Sequence, residues 1–356
     1  MTQNVLITGA AGFIGGSLIA ELLARTEGPL KNIRIFAAAR EQRQIDAISK
    51  LDVTPVLLDI TETAAVDQAV TKNEVNIVVH NASAWDPRVT SNFIKALGKR
   101  RRETGDKTFY LHTSVTSTFA PEGGWPYGEI KDSDPSLMDK QRQIPAGHPV
   151  RGTNIALADK GKEEGVTVLN LPAPMVYGRG KGEWRKLSIN IPALVRAATR
   201  LRMVHKFEDN GYSPGVHIDD LTDLYALLLE KIIQGEKLPS GENGYYFVFA
   251  HKLDWWRTME GLAKALHARG LVDEPAVKAW SSWDVASEEL KFPRAYIRAM
   301  GAPNGELIAE NGYKLGWQPK WDEKRFMDSL DDEVQAVLEL DTLQTTVFSA
   351  LLDAEK

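Results

Sequence analysis

Close to its start the chain reads Asn4-Val5-Leu6-Ile7-Thr8 and then Gly9-Ala10-Ala11-Gly12-Phe13-Ile14-Gly15. The apolar, β-branched run predicts a short buried strand. The glycines allow a tight turn, and Phe13–Leu23 predicts a helix with Phe13, Ile14, Leu18, Ile19, Leu22 and Leu23 on one stripe. A strand, a glycine turn and a helix N-terminus together make an anion site, because free backbone N–H groups and the helix dipole point at a phosphate. Gly9 permits the turn, Gly12 lets the backbone approach a pyrophosphate, and Gly15 lets the helix pack closely on the sheet. A glycine-rich βα turn without a ligand is the plainer alternative.

Strand and helix patterns then alternate, as a doubly wound parallel α/β sheet requires. Strands are expected at 33–39, 53–58, 75–80, 108–112 and 166–171, and helices at 61–72, 87–102 and 151–164. From Gly178 the pattern turns to short helices and loops carrying Trp184, Trp255, Trp256, Trp280, Trp283, Trp317 and Trp321. These tryptophans suit an apolar substrate pocket and a hydrophobic core equally well.

The 356 residues allow one large domain or two lobes sharing a core, and 43% hydrophobic with 26% charged residues is ordinary for a globular enzyme. A formal net charge of −5 argues against a nucleic-acid surface. The one dense basic run, Lys99-Arg100-Arg101-Arg102, closes an expected helix, where cations suit the dipole. No cysteine is present, which removes disulfides, thiolate catalysis and cysteine metal sites, and no metal-ligand set is read. Without a signal peptide pattern or a long apolar run, the expectation is a cytoplasmic protein with no membrane partner.

The spacing Gly9-x-x-Gly12-x-x-Gly15 after Ile7-Thr8 resembles the short-chain dehydrogenase/reductase superfamily, in its extended or atypical, epimerase/dehydratase-like branch. Val216-His217-Ile218-Asp219-Asp220-Leu221, Gly244-Tyr245-Tyr246-Phe247-Val248 and Leu315-Gly316-Trp317-Gln318-Pro319 are similar to later segments of that branch, the second of them to a late strand. The resemblance implies a Rossmann-type domain over 1–178, with 205–250 partly returning to it. A smaller substrate lobe would come from 179–204 and 251–330, and a C-terminal helix from 331–356.

For the cofactor, the resemblance puts a dinucleotide against Gly9, Ala11, Gly12, Phe13, Ile14 and Gly15. An acid at the end of the second strand would bond the ribose hydroxyls, but Arg40 stands there and offers a fork for a 2′-phosphate, so NADP is expected. A surface arginine opening the next helix is the alternative. Asp59 and Ile60 lie where the branch contacts adenine, although Asp59 also reads as an N-cap for the helix at Thr61. Asn81, Ala82 and Ser83 would flank the ribose and nicotinamide. Pro172, Ala173 and Val176 belong to a segment similar to the loop covering the nicotinamide.

The branch ordinarily uses a serine or threonine after the fifth strand and Tyr-x-x-x-Lys on a helix. The tyrosine exchanges a proton with the substrate oxygen, and the lysine lowers its pKa. Ser114 is the best hydroxyl candidate and Thr116 the fallback, although four hydroxyls in five residues also suit a turn. The helix that should hold the dyad offers Val150 and Asn154, or Arg151 and Ile155. The atypical branch similarly loses the dyad while keeping the nucleotide site. A literal match, Tyr127-Gly128-Glu129-Ile130-Lys131, runs into Asp132-Ser133-Asp134-Pro135 and reads as a loop. Tyr127 is thus a candidate proton donor or a loop contact, and Arg151 a candidate cation for a substrate carboxylate or carbonyl. The expected function is an NADP(H)-dependent oxidoreductase of a small, partly apolar metabolite. A redox-neutral isomerase, dehydratase or cyclase and a non-catalytic nucleotide sensor are the alternatives. The expected assembly is a monomer or homodimer.

Overall fold

The computed structural model describes residues 3–145, 147–298 and 306–341. Strand β1 (Asn4–Thr8) is buried at every position, as a strand covered on both faces must be. After it come β2 (Arg34–Ala39), β3 (Thr54–Leu57), β4 (Ile77–His80) and β5 (Phe109–Val115), a two-residue β6 (Ile130–Lys131), and β7 (Thr167–Ala173). The main sheet has the order β3-β2-β1-β4-β5-β7 with every pair parallel. The winding reverses between β1 and β4, so a crevice opens where the C-terminal ends of these strands diverge.

Helices α1 (Phe13–Leu23), α2 (Gln42–Ile48), α3 (Thr63–Lys72), α4 (Pro87–Thr104), α5 (Leu137–Gln143), α6 (Pro149–Glu164), α7 (Asn190–Leu201) and α8 (Ile218–Ile233) follow in chain order. On one face of the sheet, Val5 and Ile7 pack under Leu18 of α1 and Leu221 and Leu228 of α8. On the other, Leu6 and Val78 pack under Val66 of α3, Phe93 of α4 and Leu157 of α6. The basic run at the end of α4 is paired with acids: Lys99 with Asp67 at 2.8 Å, Arg102 with Glu164 at 2.5 Å and Arg100 with Asp106 at 3.7 Å.

The remainder builds a second core. Strands β8 (Met175–Tyr177), β9 (Val204–Lys206), β10 (Tyr212–His217), β11 (His251–Asp254), β12 (Val277–Ala279) and β13 (Leu307–Ile308) form small sheets, in the orders β11-β10-β8, β12-β9 and β13-β6. Helices α9 (Trp255–Ala268), α10 (Trp283–Leu290), α11 (Arg294–Ile297), α12 (Asn311–Lys314), α13 (Glu323–Asp328) and α14 (Leu330–Leu340) complete the described chain. Leu194, Trp255, Met259, Phe326 and Val334 meet in this second core. Trp255 and Trp317 are fully buried, so these two tryptophans serve packing rather than an open pocket.

Two expectations change. The late strand expected at 244–248 is an irregular segment: Asn170 donates to Gly244 at 2.8 Å, Tyr246 to Asn170 at 2.9 Å and Val248 to Pro172 at 3.3 Å. It lies along β7 without forming a regular ladder. Of the helix expected at 331–356, Leu330–Leu340 is α14 and residues 342–356 lie outside the described residues. No described helix is long and apolar enough to cross a membrane.

Candidate active site

The glycine turn sits at the crevice. Gly9 has φ +66°, and a Cβ there would stand 3.0 Å from the Asn81 carbonyl, so the turn after β1 is pressed against the turn after β4. A Cβ on Gly15 would overlap the Gly9 carbonyl oxygen, which fixes how closely α1 begins beside the strand. Gly12 is the N-cap of α1, with no side-chain cap and no acid in the first turn. The leading N–H groups of such a helix have no intrahelical partner. The backbone therefore presents donors and a positive dipole end with no competing carboxylate. Ala11 is buried, and Phe13 and Ile14 are half-buried at the same end of α1.

Asn81 faces this turn. Its Oδ1 accepts the Thr113 hydroxyl at 2.5 Å, and the same hydroxyl meets that of Tyr225. Its Nδ2 is buried with no protein partner, a donor left for a ligand beside Ala82 and Ser83. The Ser83 carbonyl accepts Nε2–H of His80 at 3.0 Å, so Nδ1 is the lone-pair nitrogen and accepts the Thr8 hydroxyl at 2.8 Å. Burial lowers His80 to about 4, so this neutral tautomer persists at neutral pH. Across the sheet His80 stacks on His112 at 5.8 Å.

At the end of β2 the Arg40 side chain is 65% exposed, with Glu41 3.5 Å away. Asp59 is exposed, and its Oδ1 accepts both the N–H and the hydroxyl of Thr61 at 2.9 and 2.7 Å. Its expected helix cap is corrected: α3 begins at Thr63 behind Glu62, so Asp59 closes a turn instead. Ile60 follows, half-buried. Pro172 and Ala173 end β7 and Val176 lies in β8, at the C-terminal side of the main sheet. These residues fit such a group: a close-approach glycine turn, an uncapped helix end and an orphaned amide donor converge. Among the described residues no three metal-ligating side chains cluster.

The expected catalytic residues are distributed differently. Ser114 is fully buried, and its hydroxyl donates to Asn154 Oδ1 at 2.8 Å. Asn170 donates to the same oxygen at 2.9 Å, and Asn154 Nδ2 donates to Gln141 at 3.3 Å. Gln141 in turn donates to the Tyr245 hydroxyl at 2.8 Å. The Ser114 side chain thus points toward α6, and its hydroxyl proton is engaged there. Two residues on, Thr116 is half-buried at the start of a turn and keeps the more accessible hydroxyl.

Tyr127 is likewise placed elsewhere. Its hydroxyl donates to Gln143 at 3.2 Å, and its ring lies edge-on to Trp125 at 5.0 Å and under Lys140 at 5.7 Å. Gln143 is about 200° around α5 from Gln141, so Tyr127 stands on the face away from the Ser114–Asn154 network. Lys131 lies in β6 and pairs with Glu310 at 3.5 Å, so the literal Tyr-x-x-x-Lys shares no helix.

Helix α6 buries Val150, Arg151 and Asn154 in its first two turns. Arg151 donates through Nη2 to the carbonyls of Thr118 and Gly123 at 3.1 and 2.7 Å, while its Nε has no partner. It therefore ties the turn after β5 to α6, and burial lowers its pKa. The charge of Arg151, after burial, helps hold neighbouring His148 at about 4. The Ser114–Asn154–Gln141–Tyr245 network escaped the sequence reading. Its one signal was an asparagine where a lysine was sought, four residues past Val150.

Residues 6–96 match the 3-beta hydroxysteroid dehydrogenase/isomerase family. The chain is 23% identical over 306 residues to the oxidase ucsJ of Acremonium sp, covering 81% of this chain and 85% of that one. Among solved structures it superposes on vestitone reductase from alfalfa with a TM-score of 0.61 at 21% identity, covering 96% and 99% of the two chains. It superposes on a dTDP-glucose 4,6-dehydratase of Bacillus anthracis, solved with NAD, with a TM-score of 0.65 at 13% identity, covering 95% and 97%. The superpositions bear out the doubly wound α/β fold.

Proposed function

With the fold and glycine signature of the extended short-chain dehydrogenases/reductases as premise, we propose an NADP(H)-dependent oxidoreductase. Its substrate is a carbonyl or hydroxyl of a small, partly apolar metabolite. The observation that carries this reading is the crevice itself: the uncapped start of α1 follows β1, the unpartnered Asn81 amide follows β4, and Arg40 ends the neighbouring β2. The first turn of α1 would hold the pyrophosphate, and Asn81, Ala82 and Ser83 the ribose beside the nicotinamide. Arg40 would hold the 2′-phosphate in place of the acid that selects NAD. The dinucleotide, when bound, supplies or accepts a hydride. In this arrangement residues 1–178 carry the nucleotide, and 179–204 with 251–330 shape the substrate end.

The protein's own part is to hold the substrate oxygen. The Thr116 hydroxyl donates a hydrogen bond to it, and the cationic Arg151 behind the same turn favours negative charge there. Val150 supplies apolar packing. Asn154 and Ser114 form the neutral floor beneath, fixing the turn rather than moving a proton.

That floor also favours a second reading. A site with no tyrosine or lysine on the buried face of α6 suits redox-neutral chemistry, in which the dinucleotide is structural or only transiently used.

Calorimetric titration with NADPH and, separately, NADH tests the proposal. Micromolar binding with a clear NADPH preference, weakened about tenfold or more in Arg40→Asp, is expected. Binding of neither nucleotide would remove it.

A further inference from the structure

The segment from Gly178 to Lys186 closes on itself and lies across α1. Gly180 donates its N–H to the Lys186 carbonyl at 2.8 Å, and Lys181 donates its N–H to Ser17 Oγ at 3.1 Å. The Lys181 ammonium pairs with Asp219 at 2.7 Å. Backbones meet directly here, since a Cβ on Gly182 would stand 2.8 Å from the Gly16 Cα. This docking carries the next residues, Trp184 and Arg185, toward the end of β2. The Arg43 guanidinium carbon lies 5.6 Å over the Trp184 ring. Burial, then the charges of Arg196 and Arg40, lowers the Arg185 pKa.

The stacking of Arg43 on Trp184 thus seats this strap, with Arg185 as its next residue, against the start of α2 just past Arg40. Arg196 is engaged by Asp341 through bonds of 2.6 and 2.8 Å, while Arg40 and Arg43 share Glu41. Guanidinium groups held close repel one another, and a phosphate placed between them turns that repulsion into attraction.

We propose that Arg185 is a second recognition residue for the adenosine 2′-phosphate, opposite Arg40, with Trp184 closing the adenosine end. The proposal rests on the NADP reading and extends it. Cofactor choice is then made jointly by the sheet and by the strap, and a nucleotide lacking the 2′-phosphate leaves the strap side of the site unused.

The test is calorimetric titration of wild type, Arg185→Met and Arg185→Lys with NADPH, NADH, 2′,5′-ADP and 5′-ADP. Arg185→Met is expected to weaken NADPH and 2′,5′-ADP about tenfold or more, with NADH and 5′-ADP changed by about twofold or less. Arg185→Lys keeps the charge and the packing but loses the fork. It is expected to lose part of the preference, and it covers the case of a methionine variant that does not fold. A wild type that prefers NADPH, with both variants keeping that preference in full, would overturn the role of Arg185 and leave the NADP reading standing. A wild type indifferent to the 2′-phosphate would overturn both.

Discussion

The Glu333 carboxyl on α14 accepts the backbone N–H of Gly178 at 2.6 Å, joining the last described helix to the turn after β8 across 155 residues of sequence. Burial pushes this carboxyl up to about 7. Because its folded pKa lies above the ordinary 4.5, it favours folding most below that value and loses the contribution as pH rises through about 7. Glu333→Gln keeps an acceptor without the charge and is expected to flatten that part of the stability profile. Glu333→Ala strands a buried N–H and should cost about 1–3 kcal/mol in urea unfolding. A wild-type midpoint for the alanine variant would show that the contact contributes nothing.

The buried histidines act with the opposite sign. Burial lowers His80 and His217 to about 4 and His112 well below its ordinary 6.5. Below about pH 6.5 the unfolded chain takes up protons that the folded chain refuses, so stability falls with pH toward 4. His80 alone accounts for about 3 kcal/mol over that window. Both ring nitrogens of His112 lack protein partners, and its ring lies against those of Tyr110 and His80 at 6.2 and 5.8 Å. His112→Phe should raise the melting temperature, most strongly at pH 5. An equal shift at pH 5 and pH 8 would show that His112 has no part in the acid response.

Two glycines should respond in opposite directions. Gly15→Ala drives a methyl into the Gly9 carbonyl and is expected to abolish nucleotide binding in the titration above. Gly152 lies exposed within α6 with nothing within 4 Å of a new Cβ, so Gly152→Ala should stabilise by about 0.5–1 kcal/mol. Thermal melting of both variants is the check, and a destabilised Gly152→Ala would contradict the open space seen there.

Tyr127→Phe removes a hydroxyl whose protein partner is Gln143. Once a turned-over substrate is in hand, this change should leave the rate within about threefold, whereas Thr116→Ala should lower it about tenfold or more. A loss of about 100-fold in Tyr127→Phe would return that tyrosine to the site as the proton donor.

The sheet could be read from sequence because its strands are continuous apolar runs punctuated by glycine and by helical periodicity. Helix α1 falls at Phe13–Leu23, as the stripe predicts. The segment 244–248 misled because Tyr245, Tyr246, Phe247 and Val248 suit a strand. They are buried instead as an irregular seam, with Asp132 accepting the Phe247 N–H at 3.0 Å. The glycine turn was readable because its spacing is local. The floor of the site was not, since Ser114, Gln141, Asn154 and Tyr245 meet only when β5, α5, α6 and the seam are brought together. An amide network leaves no periodicity in a sequence.

That seam has a consequence for self-association. An exposed sheet edge is a template on which other chains add strands. Here the β7 edge is occupied by the segment's own N–H donors. The opposite edge, β3, is four residues long and includes Pro55, which has no N–H to offer. Two copies of this protein that meet in solution must therefore do so through helices or the second lobe, and the main sheet is shielded from growing into a fibre.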